Sequence, residues 1–224
     1  MKNQRLIFLR VPRCGSASLA QLCRNNEIFD IYGGRDMGFW GSKIGLDYLK
    51  QKLNHLNTKS LSKRVVNKIG LEQWRNSYKF ASVRDPYARA VSIWRHKSFN
   101  KFESFEYFCQ ALYQQKFYSD CAKWHAVVIS DHIFLDGELK IDKVVKLESI
   151  AQDLAELSKH LGRPLKHYQN ELTDNSRRKG TPLLGGKSYS QFYTKETAEM
   201  ILEIYKKDFE NFEYDTELPI YQSG

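Results

Sequence analysis

Leu6-Ile7-Phe8-Leu9-Arg10-Val11-Pro12-Arg13-Cys14-Gly15-Ser16-Ala17-Ser18-Leu19-Ala20-Gln21-Leu22-Cys23-Arg24 is the stretch whose reading decides the architecture. Leu6 to Val11 is a short apolar run closed by Pro12 and Gly15, after which Leu19, Leu22 and Cys23 recur at helical spacing. The order is strand, loop, helix. A second instance follows: Tyr78 to Val83 predicts a strand, Arg84-Asp85-Pro86 ends it, and Tyr87 to Trp94 continues as a helix with Pro86 in its first turn. Strands alternating with helices imply an α/β fold, with a mainly parallel central sheet covered on both faces and ligands at the carboxyl ends of the strands. Both strand-to-helix turns fall at that edge.

Working outward, Ile28 to Ser42 is rich in Gly and aromatic residues without periodicity and reads as an irregular connection. Lys43 to Gly70 predicts two helices broken near Asn57, with Thr58 capping the second. Glu103 to Gln115 and Ser119 to Val128 predict helices burying Phe105, Phe108, Leu112 and Trp124, His125, Val128. Ile133 to Leu135 and Leu139 to Ile141 predict a hairpin, Lys143 to Leu147 a strand, and Ser149 to Leu161 a helix closed by Gly162. Arg163 to Lys187 is polar, irregular and basic. Lys195 to Asn211 predicts one long helix opening at Thr194, with Ala198, Ile201, Leu202, Tyr205 and Phe209 facing inward. A chain of 224 residues with no disordered tract suits one domain over 1–224.

Thirty-five Lys and Arg against 26 Asp and Glu leave a net charge of +9, which favours a polyanionic partner without choosing among nucleotides, nucleic acids and acidic glycans. Cys14, Cys23, Cys109 and Cys121 have neither CxxC spacing nor paired His ligands, so no metal and no disulfide framework is expected. The apolar part of the opening MKNQRLIFLRVPR is too short for a signal peptide or membrane segment. A cytoplasmic location with reduced thiols is the expectation.

The loop Val11 to Ser18 has the composition of an anion cradle: backbone N–H groups at a helix start, Gly15 for close approach, hydroxyls from Ser16 and Ser18, and a charge from Arg13. It is not a Walker A loop, because GxxxxGK[ST] is absent. The second constellation is Phe80-Ala81-Ser82-Val83-Arg84-Asp85-Pro86-Tyr87-Ala88-Arg89-Ala90-Val91-Ser92. It sets Arg84 at a strand end and Ser92 two turns into the next helix, where both can meet one phosphate.

Together these residues resemble the PAPS-dependent sulfotransferases, especially the branch with carbohydrate sulfotransferases, which share a VPKTGSTS-like loop and a later FVRNP(x5)S element. PAPS is 3′-phosphoadenosine 5′-phosphosulfate. The resemblance runs over nearly the whole chain. His55-Leu56-Asn57 is similar to the family's histidine segment, Asp142 to Leu154 to its VDxVxxxExLxxD region, and Tyr193 to Tyr214 to its closing helix and FGY tail, with Glu213 in place of Gly. It implies the sulfotransferase version of the P-loop nucleotide-kinase fold, with Arg13, Cys14, Gly15, Ser16, Ala17 and Ser18 around the 5′-phosphosulfate and Arg84 and Ser92 on the 3′-phosphate. The product would be 3′-phosphoadenosine 5′-phosphate. Arg13 stands where the family usually has Lys; it keeps the charge and adds a planar fork but is bulkier.

The implied reaction is sulfuryl transfer to a hydroxyl, with the protein supplying alignment and positive charge. Arg13 is the electrostatic candidate, and His55, by resemblance, is the base; His125, His132 and Glu27 are alternatives. Arg178, in Arg177-Arg178-Lys179-Gly180, is a further candidate contact to the donor or acceptor. The acceptor side is expected from Ile28 to Ser42, Phe99 to Tyr118 and Arg163 to Lys187, whose aromatics and bases suit a glycan. Two other classes compete: a nucleotide or phosphate kinase, which needs Mg²⁺ ligands that cannot be placed, and a basic nucleic-acid binder, for which no module is present. A nucleic-acid partner is therefore not expected, and the sequence leaves the oligomeric state open.

Overall fold

The computed structural model describes residues 5–28, 31–32, 71–96, 99, 101–117, 119–135, 138–139, 141–162, 164–165 and 188–218. The two helices expected between 43 and 70, His55 and Arg178 lie outside them. In chain order the elements are β1 (Leu6–Leu9), α1 (Ser16–Asn25), β2 (Ile31–Tyr32), α2 (Leu71–Asn76), β3 (Tyr78–Val83), α3 (Pro86–Trp94), α4 (Phe105–Tyr113), α5 (Asp120–His125), α6 (Ile129–Ile133), β4 (Phe134–Leu135), β5 (Glu138–Leu139), β6 (Lys143–Lys146), α7 (Ile150–Leu161), a 3-10 turn at Tyr189–Phe192, α8 (Lys195–Ile204) and α9 (Lys206–Asn211).

Four strands form a sheet in the order β2-β1-β3-β6, every pair parallel. Leu9 lies opposite Ala81 and Val83 opposite Lys146, so the ends of β1, β3 and β6 reach one edge together. The α/β expectation holds. Because strand side chains alternate, Phe8 and Phe80 stack at 4.9 Å on the face covered by α1 and α7, with Leu19, Leu22, Leu154 and Leu157. Ile7, Leu9, Ala81 and Val83 face the other way, onto Ile129, Ile133 and Phe212. Burial on both faces explains why β1 reads as a continuous apolar run. A third cluster packs α3 against α4 and α8 through Tyr87, Ile93, Phe105, Phe108, Ile201 and Phe209.

Several sequence expectations are corrected. Ile31–Tyr32, inside the stretch expected to be irregular, is an edge strand whose two residues pair with Phe8 and Leu9; two residues are too few to show a period. Residues 119–128 do not form one helix: α5 ends at His125, and α6 follows from Ile129. Trp124, His125 and Val128 are half-buried, while Ala122, Ala126 and Ile129 take the core positions. The hairpin is present but pairs Phe134–Leu135 with Glu138–Leu139.

The expected helix over 195–211 breaks at Tyr205. There the Asp208 N–H bonds the Tyr205 carbonyl at 2.7 Å, an i→i+3 bond that aligns side chains three apart. Tyr205 and Asp208 thereby meet the same buried guanidinium. Gly162, at φ 64, and Thr194, in a reciprocal cap with Thr197, close α7 and open α8 as expected. Among the described residues no helix is long and apolar enough to cross a membrane.

Candidate functional site

The loop after β1 turns sharply because Arg13 and Gly15 both adopt the left-handed conformation, at φ 68 and φ 65. Left-handed residues within a turn bring successive N–H groups to one side, the geometry of an anion nest. Gly15 is the N-cap of α1, no side chain caps that start, and the first turn holds no acidic residue. The first N–H groups of α1 therefore keep their capacity for an anion. Cys14 points the other way: it is fully buried, its thiol lies 3.6 Å from the Pro12 carbonyl, and burial pushes its pKa up to about 12. Only its backbone can serve a ligand.

A Cβ on Gly15 would lie 2.7 Å from Leu147 Cδ1, and the Leu147 N–H donates to the Val83 carbonyl at 3.0 Å, so the loop, β3 and β6 converge at that point. Gly15→Ala is expected to lower stability by about 1–2 kcal/mol, the cost of a left-handed L-residue, as Leu147 turns aside. The midpoint of urea unfolding measures it.

Arg13 donates through Nε and Nη2 to the Ser92 hydroxyl oxygen, at 3.1 and 2.9 Å. The two constellations separated in sequence are thus joined. Ser92 keeps its own O–H as a donor, and Nη1 of Arg13 takes no partner among the described residues. Burial and then the neighbouring Arg84 pull the Arg13 pKa down to about 10, so it remains a cation at neutral pH. Arg84, half-buried at the end of β3, makes no hydrogen bond or ion pair among the described residues. The next residue, Asp85, caps α3, accepting from the Ala88 N–H at 2.7 Å. Its pKa is raised, first by burial. Burial first, and then the nearby Asp85 and Glu148 carboxylates, push the Tyr189 phenol pKa up to about 12.

Sequence reasoning passed over Arg89, which is 0% exposed. It donates to the carbonyls of Pro12 (3.3 Å), His125 (3.2 Å) and Val127 (2.7 Å), stands 3.8 Å from the Asp208 carboxylate, and lies 5.2 Å from the centre of the Tyr205 ring. Asp208 also accepts from the Ile129 and Ser130 N–H groups. The available signal was a lone charge among Ala88, Ala90, Val91 and Ile93, where an unpaired Arg would not be tolerated. Asp208 balances Arg89, which leaves the charges of Arg13 and Arg84 at the edge of the sheet.

The alternative base candidates fall in different places. His125 is half-buried and stacks on His96 at 4.2 Å, and His96 lies one helical turn beyond Ser92. His132 is buried and tilts against Trp124 at 4.8 Å. Glu27 sits past the far end of α1, about 15 Å along the helix from Gly15 at 1.5 Å per residue. Phe99, Phe105 and Phe108, from the stretch expected to line an acceptor cleft, are core residues instead. Glu213, which stands where the resemblance places Gly, adopts the left-handed conformation at φ 52.

A comparison with protein families matches residues 1–215 to the sulfotransferase family. A comparison with curated proteins finds no match.

Proposed function

Since the chain belongs to the sulfotransferase family and is an enzyme of that class, we propose that it transfers a sulfuryl group from PAPS to a hydroxyl of a carbohydrate, within one domain over 1–224. The observation that carries the donor is Arg84: a guanidinium without a protein partner among the described residues, beside a Ser92 hydroxyl that still has a proton to donate. A 3′-phosphate answers both. The 5′-phosphosulfate then falls to the backbone of Cys14 to Ser18, the hydroxyls of Ser16 and Ser18, and Arg13.

In transfer the acceptor oxygen bonds to sulfur as the bond from sulfur to the leaving phosphate oxygen breaks, and negative charge builds on that oxygen. Arg13 is suited to meet it, because its Nε edge is held by Ser92 while Nη1 remains for the leaving oxygen. Lys would bring one ammonium to both tasks. His55, outside the described residues, is the proposed base that takes the acceptor proton, and Arg178 a proposed further contact. Phe105 and Phe108 of α4 lie in the core while Tyr107 and Tyr113 are exposed, so the acceptor side draws on those two tyrosines together with the Gly- and aromatic-rich 28–42 and the basic 163–187. Those compositions suit a glycan.

Calorimetric titration with 3′-phosphoadenosine 5′-phosphate, ATP and an oligonucleotide tests the donor. The 3′-phosphate nucleotide is expected to bind at least about tenfold tighter than ATP, which would leave Arg84 and Ser92 unpaired. Equal affinity for the two would sink the reading, and preference for ATP or the oligonucleotide would favour a competing class.

A further inference from the structure

Glu148 follows β6 and Leu147 and brings a carboxylate to the edge of the sheet where the two uncompensated arginines lie. A negative charge there opposes the binding of an anion, so its arrangement needs a reason. One oxygen, Oε1, accepts the Asp85 N–H at 2.9 Å, and the other, Oε2, accepts the Tyr214 O–H at 2.9 Å. No ion pair joins Glu148 to Arg84, although Arg84 is the residue directly before Asp85. Tyr214 is itself held. Lys146 stands 4.8 Å from the centre of its ring and donates to the preceding Glu213 carbonyl at 3.4 Å. The left-handed backbone at Glu213 turns the chain at that point.

We propose that Tyr214 is a positioning residue that ties up the Glu148 carboxylate, so that Glu148 anchors the Asp85 backbone without quenching Arg84. This rests on the donor reading above, in which Arg84 receives the 3′-phosphate. Without the phenol O–H, Oε2 of Glu148 loses its partner, and the cation in the adjoining turn becomes the best available one. The carboxylate then competes with the phosphate for Arg84. Selectivity for nucleotides that carry a 3′-phosphate is thereby set partly by a residue that need not touch the nucleotide.

The test is the ratio of affinities for 3′-phosphoadenosine 5′-phosphate and adenosine 5′-monophosphate, measured by calorimetry on the full chain. Tyr214→Phe is expected to lower the ratio about three- to tenfold, the scale of one ordinary net hydrogen bond, by weakening only the 3′-phosphate nucleotide. The double variant Tyr214→Phe with Glu148→Gln is expected to recover most of the ratio, because glutamine still accepts from the Asp85 N–H but cannot form an ion pair with Arg84. A merely structural loss would not be rescued in this way. An unchanged ratio in Tyr214→Phe, or a double variant as poor as the single one, overturns the inference while a large wild-type ratio leaves the donor reading standing. A wild-type ratio near one overturns both.

Discussion

Arg89→Leu is expected to destabilise the protein by about 3–5 kcal/mol, the scale seen when one partner of a buried ion pair is removed. Against a total stability of about 5–15 kcal/mol, that is enough to leave the fold marginal. The guanidinium is completely buried and serves three carbonyls as well as Asp208. Leucine fills part of the volume and supplies none of those donors. Burial already raises the Asp208 pKa while Arg89 holds it down, and removing Arg89 lets it rise further. A carboxyl whose folded pKa lies above its unfolded value favours the folded state at low pH, and that advantage is lost as pH rises through the folded pKa. The deficit of Arg89→Leu should therefore shrink as pH falls and Asp208 takes up a proton. Urea unfolding of both proteins at neutral and mildly acidic pH measures it; a deficit independent of pH would show that the lost hydrogen bonds, rather than the stranded carboxylate, dominate.

Arg84→Ala is expected to act on binding and leave stability almost untouched, since its guanidinium has no protein partner to strand among the described residues. Affinity for 3′-phosphoadenosine 5′-phosphate should fall about ten- to a hundredfold, the equivalent of about 1.5–3 kcal/mol for hydrogen bonds to a charged group. Adenosine 5′-monophosphate, which lacks the 3′-phosphate, should be affected little. Arg84→Lys should recover part of the loss, keeping the charge without the fork. If Arg84→Ala weakens both nucleotides equally, Arg84 belongs to the 5′ side and its pairing with Ser92 must be redrawn.

What could be read from the sequence was whatever leaves a local trace. β1 did so through its apolar run, α1 through its helical spacing, and β3 and α3 through the Arg84-Asp85-Pro86 that divides them, and the punctuation by Pro12, Gly15 and Pro86 marked which turns lie at the ligand edge. The short strand at Ile31–Tyr32 left none, because two residues have no period and its place comes from pairing with β1. The break at Tyr205 was hidden for a different reason. Its apolar spacing is that of a helix, and the tightened turn answers a guanidinium far away in sequence, beside which Tyr205 also donates to the Ala126 carbonyl at 3.0 Å. Arg89 itself was quoted only as a spacer between Arg84 and Ser92. Its importance lies in partners 77 residues upstream and 36 to 38 residues downstream, which periodicity cannot report.

The fastening of the Pro12 carbonyl through Arg89 to Asp208 also governs when the site can come into being during synthesis. Arg89 stays uncompensated until Asp208 has left the ribosome, and a nascent chain short of that point carries an unpaired cation that resists being taken into the core. The sheet adds to the delay, because its central pairs join segments made far apart, Leu6 with Tyr78 and Phe80 with Lys143. The loop, although it lies near the start of the chain, is therefore among the last features to acquire its working shape.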